Sequence, residues 1–288
     1  MITDSQTNFV YLAETLKSQF PDFARKLIAI LNENNVQHGF LPLTRDIWAR
    51  DFMPIQVSKD TFIEYRYDPD YLQAKKYRKQ KTYPDIVCDK LGLRTIKTDL
   101  IIDGGNVIKS SNCVIMTDKV LVENNDFYNR DEVVAKLKLI FEVEKIVLIP
   151  WDKEYDYCGH ADGMVRFIDD NAVLLQGYFD EYDEIFKQKL YGSLEQNGLH
   201  WKKLKYDVEK ADEENNWAYM NFLQTKDLIL IPGLGIAEDG QALKQVKEYF
   251  PDYAKNDRVK QIDVSEIIGE GGALNCISWT IFKNESIK

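Results

Sequence analysis

Residues 270–279 read EGGALNCISW: a double glycine, then an asparagine and a cysteine, then the start of an apolar strand. Four earlier stretches have similar short clusters of glycine or polar residues ahead of strand-like runs: WARD at 48–51, DGGN at 103–106, GHADG at 159–163 and NNW at 215–217. Glycine at such points allows a positive φ or a close approach between backbones. The recurrence indicates an internal repeat.

The repeat unit is two strands, a helix and a third strand. Three units are regular: NVIKSS, CVIMTDKVLV, a helix over Glu132–Phe141 and KIVLIP; GMVRFI, AVLLQG, a helix over Glu181–Leu194 and WKKLKY; YMNFLQ, LILIP, a helix over Ala242–Phe250 and VKQIDV. At a spacing of about 55 residues, the chain has room for five units. A ring of repeats brings the polar residues at the matching end of each unit to one mouth.

The first 93 residues are less regular. Apolar residues at steps of three and four from Phe9 to Leu31 predict helix, divided at Pro21, and a strand is predicted over Val36–Leu43. The runs IQVS and TFIEYRY predict a strand pair. The basic segment 71–93 predicts a solvated helix broken at Pro84, with a lid or specificity loop beside the site as the alternative.

Composition limits the function classes. The 288 residues carry a net charge of -10, which argues against non-specific nucleic-acid binding and favours a neutral or cationic partner. The sequence shows neither a signal-peptide pattern nor the ~20-residue apolar run of a membrane span. The four cysteines are far apart and predict reduced thiols. A soluble cytoplasmic protein is expected, and a homodimer is one possible assembly.

Four residues stand out at the matching ends of the repeats. His160 and Asp162 are two positions apart, so an extended segment points both to one side. Asp51 follows Arg50 ahead of Pro54, and Cys276 follows the double glycine. Each has an ordinary structural interpretation: a capped turn, a surface ion pair or a buried strand cysteine. Their common place in the repeat favours a shared site.

The ordered motifs RDIWARDFMP, IIDGGNV, GHADGMVRF, AYMNF and EGGALNCISW resemble the guanidine-modifying pentein superfamily. The similarity is strongest to the agmatine deiminase and bacterial-type (Porphyromonas-type) peptidylarginine deiminase family, and it spans about residues 40 to 282. The resemblance implies an α/β fold, the pentein α/β-propeller of five pseudo-symmetric ββαβ units, as a single domain over residues 1–288.

The same resemblance implies roles for individual residues. Cys276 is the expected nucleophile and His160 the general acid and base, while Asp51 and Asp162 clamp the guanidinium. Trp48 is expected to line the pocket, and Asp103 and Asn106 are further substrate-binding candidates. The sequence departs from the family at Asp103, where glutamate is usual, and at Asn275, where agmatine deiminases commonly have histidine. Their Trp-Gly-Gly segment is also not visible.

The implied reaction hydrolyses agmatine to N-carbamoylputrescine and ammonia through a covalent amidino-thioether on Cys276. It needs no cofactor and no metal. A free-arginine or peptidyl-arginine deiminase is the alternative within the family. Three other classes remain: a papain-like hydrolase using Cys276, His160 and Asn221, a metal hydrolase using Cys158, His160 and Asp162, and a guanidine-binding protein without activity. Nearby carboxylates are expected to raise the pKa values of Cys276 and His160.

Overall fold

Fifteen short strands form five three-stranded sheets in the computed structural model, which describes residues 1–209, 211–212 and 214–284. Every sheet has the same plan: the first strand pairs antiparallel with the second, and the second pairs parallel with the third. A parallel pair needs a crossover, and one or two helices fill each crossover. This is the five-unit ββαβ architecture that the repeat predicted.

Each unit is named by its strands. Unit 1 contains β15 (Ser278–Ile281), β1 (Phe9–Ala13) and β2 (Gln37–Leu41); unit 2 contains β3 (Ile55–Gln56), β4 (Phe62–Arg66) and β5 (Ile96–Ile101); unit 3 contains β6 (Ile108–Lys109), β7 (Cys113–Thr117) and β8 (Lys145–Ile149); unit 4 contains β9 (Val165–Asp169), β10 (Ala172–Gln176) and β11 (His200–Leu204); unit 5 contains β12 (Leu223–Gln224), β13 (Ile229–Gly233) and β14 (Val259–Asp263).

In the described ranges, ten α-helices join or flank these strands. They are α1 (Glu14–Gln19), α2 (Pro21–Glu33), α3 (Ala49–Phe52), α4 (Pro84–Leu91), α5 (Lys119–Asn124), α6 (Arg130–Phe141), α7 (Glu184–Gln196), α8 (Asp239–Tyr249), α9 (Pro251–Lys255) and α10 (Ser265–Ile268). Their starts follow from local chemistry. Asn129 caps α6 by accepting from the backbone N–H groups of Asp131 and Glu132, and Asp183 caps α7 in the same way.

The ring closes through strand β15. Phe9 pairs opposite Ile281 and Leu12 opposite Ser278, so the last strand completes the first unit. The prediction of a helix from Phe9 was wrong, because Phe9–Ala13 is a strand hydrogen-bonded on both edges. Four of its five residues are buried, and a strand buried on both faces is apolar throughout, which conceals its two-residue period. The helical prediction holds from Glu14 and Pro21 onward.

Two other segments differ from their predictions. The sequence predicts that the second strand of unit 3 extends through KVLV, but Lys119–Asn124 is a helix. The Asn124 side chain at its end hydrogen-bonds to the backbone of Ile101 and Val120. Pro84 begins helix α4 rather than breaking one, because proline fits the first helical turn. The basic residues before it form turns rather than a helix.

Apolar side chains fill the spaces around and between the units. Helix α2, for example, buries Phe23, Leu27 and Leu31, and each side chain removed from water in this way contributes about 2 kcal/mol to folding.

None of the helices in the described ranges is long and apolar enough to cross a bilayer. Cys88, Cys113, Cys158 and Cys276 are free thiols. We propose one domain because strand β15 links both ends of the chain. The predicted range also includes residues 285–288, outside those described.

A buried charge cluster joins the N-terminal residues to units 3 and 4. Asp4 lies 3.0 Å from the Arg166 guanidinium and 3.6 Å from the Lys109 ammonium. Both cations are almost fully buried, and Arg166 also donates to the carbonyl of Phe222. Burial would raise the pKa of Asp4, but Lys109, Arg50 and Arg166 outweigh it and lower that pKa. Asp4 is therefore the carboxylate that compensates this cluster.

We expect Asp4→Asn to lower the free energy of unfolding by about 3 kcal/mol, because removing one partner leaves buried cations uncompensated. Thermal unfolding at pH 7 measures the loss. The difference from the wild type should shrink below about pH 4, where the wild-type carboxylate is protonated in the unfolded chain. Asp22→Asn, which removes an exposed pair with Arg25, is the control and should leave the midpoint close to the wild-type value. An unchanged midpoint for Asp4→Asn would contradict this account of the cluster.

Candidate active site

The turns that lead into the first strand of each unit meet at one end of the ring. They bring together Asp51, Asp103, His160, Asn221 and Cys276, one residue from each unit. Hydrogen bonds link neighbouring turns: the Gly105 N–H donates to Asp51 Oδ1 (3.2 Å), Asn275 Nδ2 donates to Asp162 Oδ2 (2.7 Å), and the Arg50 N–H donates to the Cys276 carbonyl (3.0 Å). The convergence predicted from the repeat is confirmed.

Cys276 has a polar environment although it is buried. Its Sγ lies 3.1 Å from Asn221 Nδ2, which donates to it, and 3.5 Å from Asp162 Oδ2. Burial raises the pKa of the Cys276 thiol well above its usual value, and Asp162 and Asp51 raise it further, while the Asn221 amide opposes the shift. The expected direction is confirmed. Without a cation in the site, the sulfur is therefore held as a thiol that donates toward Asp162.

His160 is enclosed by carboxylates. Its Nε2 lies 2.9 Å from Asp103 Oδ2, and its Nδ1 lies 3.7 Å from Asp51 Oδ1. Burial alone would lower the pKa of His160, but Asp51 and Asp103 outweigh it and raise that pKa well above the usual value. The backbone N–H of His160 also donates to Asp156 Oδ2 (2.7 Å), which fixes the start of the turn. The ring is therefore charged at neutral pH.

Among the described residues, His160 is the one cation paired with the site carboxylates, and it faces Asp51 and Asp103 but not Asp162. Burial raises the pKa of Asp51 well above its usual value, with Asp103 and Asp162 adding to the shift and His160 opposing it. In the part of the chain that the structure describes, neither Asp51 nor Asp162 forms an ion pair with lysine or arginine. Buried carboxylates without a cation are costly, so the site favours a positively charged ligand.

Two glycines allow the turns to pack this closely. A Cβ on Gly104 would lie 2.0 Å from the Arg50 carbonyl oxygen, and a Cβ on Gly105 would lie 2.7 Å from both Asp51 Oδ1 and His160 Nδ1. Both distances are shorter than any real Cβ contact. Gly104 is thus required by the approach of the Arg50 backbone, and Gly105 by the approach of Asp51 to His160.

Gly105→Ala should therefore reduce the proposed activity at least a hundredfold, because the methyl group would displace either Asp51 or His160 and small misplacements in a site cost about that much. Steady-state turnover measures the loss. Gly240→Ala on helix α8, where a Cβ meets no atom within 4 Å, is the matched control and should keep full activity. Normal turnover of Gly105→Ala would show that the two side chains need not be this close.

The remaining candidates occupy different places. The Trp48 ring packs on Gly272, where a Cβ would lie 2.2 Å from Trp48 Cζ3, so it borders the turn that carries Cys276. Asp103 bonds His160 and the hydroxyl of Tyr71. Asn106 accepts from the backbone N–H of Thr117 (2.8 Å) and donates to its carbonyl (3.5 Å). The Asn106 amide therefore braces the turn, and we propose this role for it instead of substrate contact.

Three further residues support the site: Asn221 was predicted only for the papain-like alternative, and Tyr65 and Tyr71 were not predicted. Asn221 Oδ1 accepts from the backbone N–H groups of Asn275 and Cys276 (3.0 and 3.2 Å), and the Tyr65 hydroxyl donates to the carbonyls of Asp51 and Met53. Tyr71 donates to Asp103 Oδ2 (2.9 Å). Asn221 lies in the AYMNF motif, so the repeat register was a signal for it. Tyr65 and Tyr71 had no comparable signal.

The rival sites do not assemble. In a papain-like arrangement an asparagine would orient the histidine, but Asn221 bonds Cys276 while both His160 nitrogens face aspartates. Within residues 1–209, 211–212 and 214–284, no three His, Cys, Asp or Glu side chains are grouped as metal ligands. Cys158, His160 and Asp162 therefore do not form the metal site that their spacing suggested.

The five-unit ring with a cysteine, a histidine and three aspartates at one mouth is a pentein α/β-propeller. The chain belongs to the Porphyromonas-type peptidyl-arginine deiminase family, whose model matches residues 5–281. Both the family resemblance and the predicted fold are confirmed.

Individual relatives are distant in sequence. A Streptococcus mutans protein assigned as an agmatine deiminase is 27% identical over 250 residues, which cover 74% of this chain; the chain spans 63% of that relative's length. The solved structure of Campylobacter jejuni agmatine deiminase is 17% identical with a TM-score of 0.77, covering 98% of this chain and 96% of that one. The Enterococcus faecalis enzyme is 18% identical with a TM-score of 0.70, covering 96% and 94%. These structural likenesses establish the fold.

Proposed function

We propose that the protein is a C–N hydrolase that deiminates a small cationic guanidine, with agmatine as substrate and N-carbamoylputrescine and ammonia as products. One observation supports this most strongly. A buried cysteine sulfur lies 3.5 Å from an aspartate that has no cationic partner among the described residues, beside a histidine held between two further aspartates. This arrangement supplies a nucleophile, a proton donor and a receptor for a planar cation. The relatives assigned as agmatine deiminases support the same substrate.

Binding is the first step. A guanidinium keeps its charge in any site because its pKa exceeds 12, and it is a poor electrophile. Asp51 and Asp162 each accept a pair of its N–H groups, which fixes the plane and compensates the charge. The cation also reverses the field at Cys276, where the two carboxylates raise the thiol pKa in the free protein. Substrate therefore promotes loss of the thiol proton to solvent, which gives the thiolate that attacks it.

The first chemical step forms a carbon–sulfur bond. The Cys276 thiolate adds to the central guanidinium carbon, and protonated His160 transfers its proton to the departing nitrogen, which leaves as ammonia. The carbon–nitrogen bond breaks and an amidino-thioether remains on Cys276. His160 is suited to this step because the carboxylates of Asp51 and Asp103 keep its ring charged.

The second step consumes water. Neutral His160 takes one proton from water as the oxygen adds to the amidino carbon, the carbon–sulfur bond breaks, and the remaining hydroxyl proton passes to the departing sulfur, which restores the Cys276 thiol. The product is a ureido compound. Asp103 keeps its bond to His160 through both steps, so it acts on the histidine and need not touch the substrate.

Charge favours agmatine over free arginine. Agmatine carries a second positive charge where arginine also carries a carboxylate, and the mouth is acidic. The three arginines of the motifs are engaged elsewhere. Arg50 donates to the Asn275 carbonyl and Thr280, and Arg166 donates to Asp4 and the Phe222 carbonyl. The Arg45 guanidinium lies over the Tyr83 ring, 4.8 Å from its centroid. Lys81, in the basic segment, pairs with Asp68. A buried substrate carboxylate would therefore lack a partner at these positions.

Ammonia release from agmatine, free arginine and an internal arginyl peptide tests the proposal. Agmatine should exceed the other two by more than about tenfold in kcat/KM, because an unpaired carboxylate costs several kcal/mol on burial. A preference for arginine or the peptide would overturn the choice of agmatine but leave the deiminase reaction in place. Release of ammonia from none of the three would reject the deiminase proposal and favour a binding protein.

A further inference from the structure

Tyr71 is the one tyrosine that reaches the His160–Asp103 pair in the described residues. Its hydroxyl donates to Asp103 Oδ2 at 2.9 Å, and the same oxygen lies 2.9 Å from His160 Nε2. One carboxylate oxygen thus serves two donors. The other, Asp103 Oδ1, is buried without a hydrogen-bond partner in that part of the chain. The Tyr71 ring also stands edge-on to the His160 ring, with centroids 6.4 Å apart.

The segment that carries Tyr71 is tied down on both sides. Asp70 pairs with the Lys119 ammonium (2.9 Å), which belongs to unit 3, and Lys119 also pairs with Glu123. Leu72 is buried in the core, and Asp68 pairs with Lys81. Tyr71 is therefore presented to Asp103 by anchored neighbours on either side of it.

We propose that Tyr71 is a positioning residue of this site: its hydroxyl shares one oxygen of Asp103 with His160 and so limits how tightly that carboxylate holds the histidine proton. The inference rests on the proposed function, in which His160 must give up its proton in the first step and act as a base in the second. A histidine surrounded by carboxylates alone would retain the proton too strongly to give it up in the first step.

The direction of the effect follows from the shared oxygen. The hydroxyl bonds more strongly to the Asp103 carboxylate when His160 is neutral than when a charged imidazolium already compensates it. Tyr71 therefore favours neutral His160. Burial, and then Asp103, raise the pKa of Tyr71 well above its usual value, so Tyr71 stays a donor across the working range.

Other groups face His160 and stay in place when Tyr71 is changed. They are Asp51 on α3, Asp103 ahead of β6 and Asp156 in the loop before His160. All three are aspartates, and they favour the charged ring. Tyr71 acts against them through Asp103, so its removal has a defined sign.

Histidine titration by NMR in the full chain tests the proposal without any substrate. The chain has three histidines, His38, His160 and His200, so the wild type gives three titration curves. The curve that is missing from the spectra of the His160→Asn variant belongs to His160. Tyr71→Phe keeps the ring and removes the hydroxyl. We expect the pKa of His160 to rise by about half to one unit, as for a hydrogen bond that differs in strength between two protonation states. The other two histidines should titrate as in the wild type, which also reports folding.

Tyr155→Phe is the matched control. Tyr155 is 77% exposed in the neighbouring loop, and its hydroxyl makes no hydrogen bond within the described ranges. Its substitution should leave the titration of His160 unchanged. Combining Tyr71→Phe with Asp103→Asn gives a second comparison, because a hydroxyl that acts through Asp103 has no effect on His160 once the carboxylate is gone.

An unchanged or lowered His160 pKa in Tyr71→Phe, or an equal shift with and without Asp103, would overturn the proposal. Activity then provides a separate readout: Tyr71→Phe should lower kcat several-fold near pH 7 with little change in KM. Because the titration needs no turnover, the role of Tyr71 can fail while ammonia release persists. Ammonia release can likewise fail while the shift is observed.

Discussion

Replacing Cys276 with alanine is expected to abolish ammonia release while substrate still binds. The sulfur is the nucleophile in the proposed reaction, and loss of a covalent nucleophile removes several orders of magnitude of rate. The carboxylates of Asp51 and Asp162 do not depend on the sulfur for their positions: Asp51 accepts from the Gly105 N–H and Asp162 from Asn275. Calorimetric binding of agmatine to Cys276→Ala should therefore remain measurable.

The control is Cys158→Ala. Cys158 is partly buried in the loop two residues before His160, yet its thiol is not a partner of Cys276, Asp51 or Asp162. Its substitution should leave turnover within a few-fold of the wild type. Retention of more than about a tenth of the wild-type rate by Cys276→Ala would remove Cys276 from the role of nucleophile.

Asp162→Asn is expected to change two properties in opposite directions. Agmatine kcat/KM should fall about a thousandfold, because the guanidinium loses a charge-assisted pair of hydrogen bonds. The Cys276 thiol should become more reactive in the free protein, because Asp162 is a cause of its raised pKa and asparagine carries no charge. A lower pKa gives more thiolate at pH 8, so alkylation by iodoacetamide should accelerate about tenfold.

Both rates are measured on the same preparation, with alkylation of Cys276 followed by peptide mass spectrometry. Asp169→Asn, at an exposed position on β9 in the same unit, is the control and should change neither rate. If Asp162→Asn merely damaged the site, turnover would fall but the alkylation of Cys276 would not become faster. Such a result would contradict the account of Asp162 as both the guanidinium partner and the source of the field at the sulfur.

The repeat made the architecture and the convergence predictable. Equivalent turns at Asp51, Asp103, His160 and Cys276 place their side chains at one mouth whatever the details of each unit, so their convergence follows from register, whereas their roles were implied by the family resemblance. The local sequence pattern predicted the wrong secondary structure where contacts with distant parts of the chain determine it. Phe9–Ala13 is a strand because β15 and β2 flank it, and β15 lies at the far end of the sequence.

The supporting residues were harder to foresee for the same reason. Tyr65 and Tyr71 reach the site with hydroxyl groups at the ends of long side chains, and nothing in their sequence neighbourhood marks the direction. Asn106 has the position in the repeat expected of a substrate contact, yet its amide is used by the Thr117 backbone. Register predicts where a residue lies, but the partner it bonds depends on the packing of the adjacent unit.

The most direct test of the central claim is mass spectrometry of the protein mixed with agmatine and quenched in acid during turnover. The account predicts a covalent adduct on the peptide that contains Cys276, heavier by the mass of agmatine less that of ammonia, which appears before the ureido product accumulates. The peptides of Cys88, Cys113 and Cys158 should remain unmodified. Steady ammonia release with no adduct on Cys276 at any time, or an adduct on another cysteine, would contradict the account.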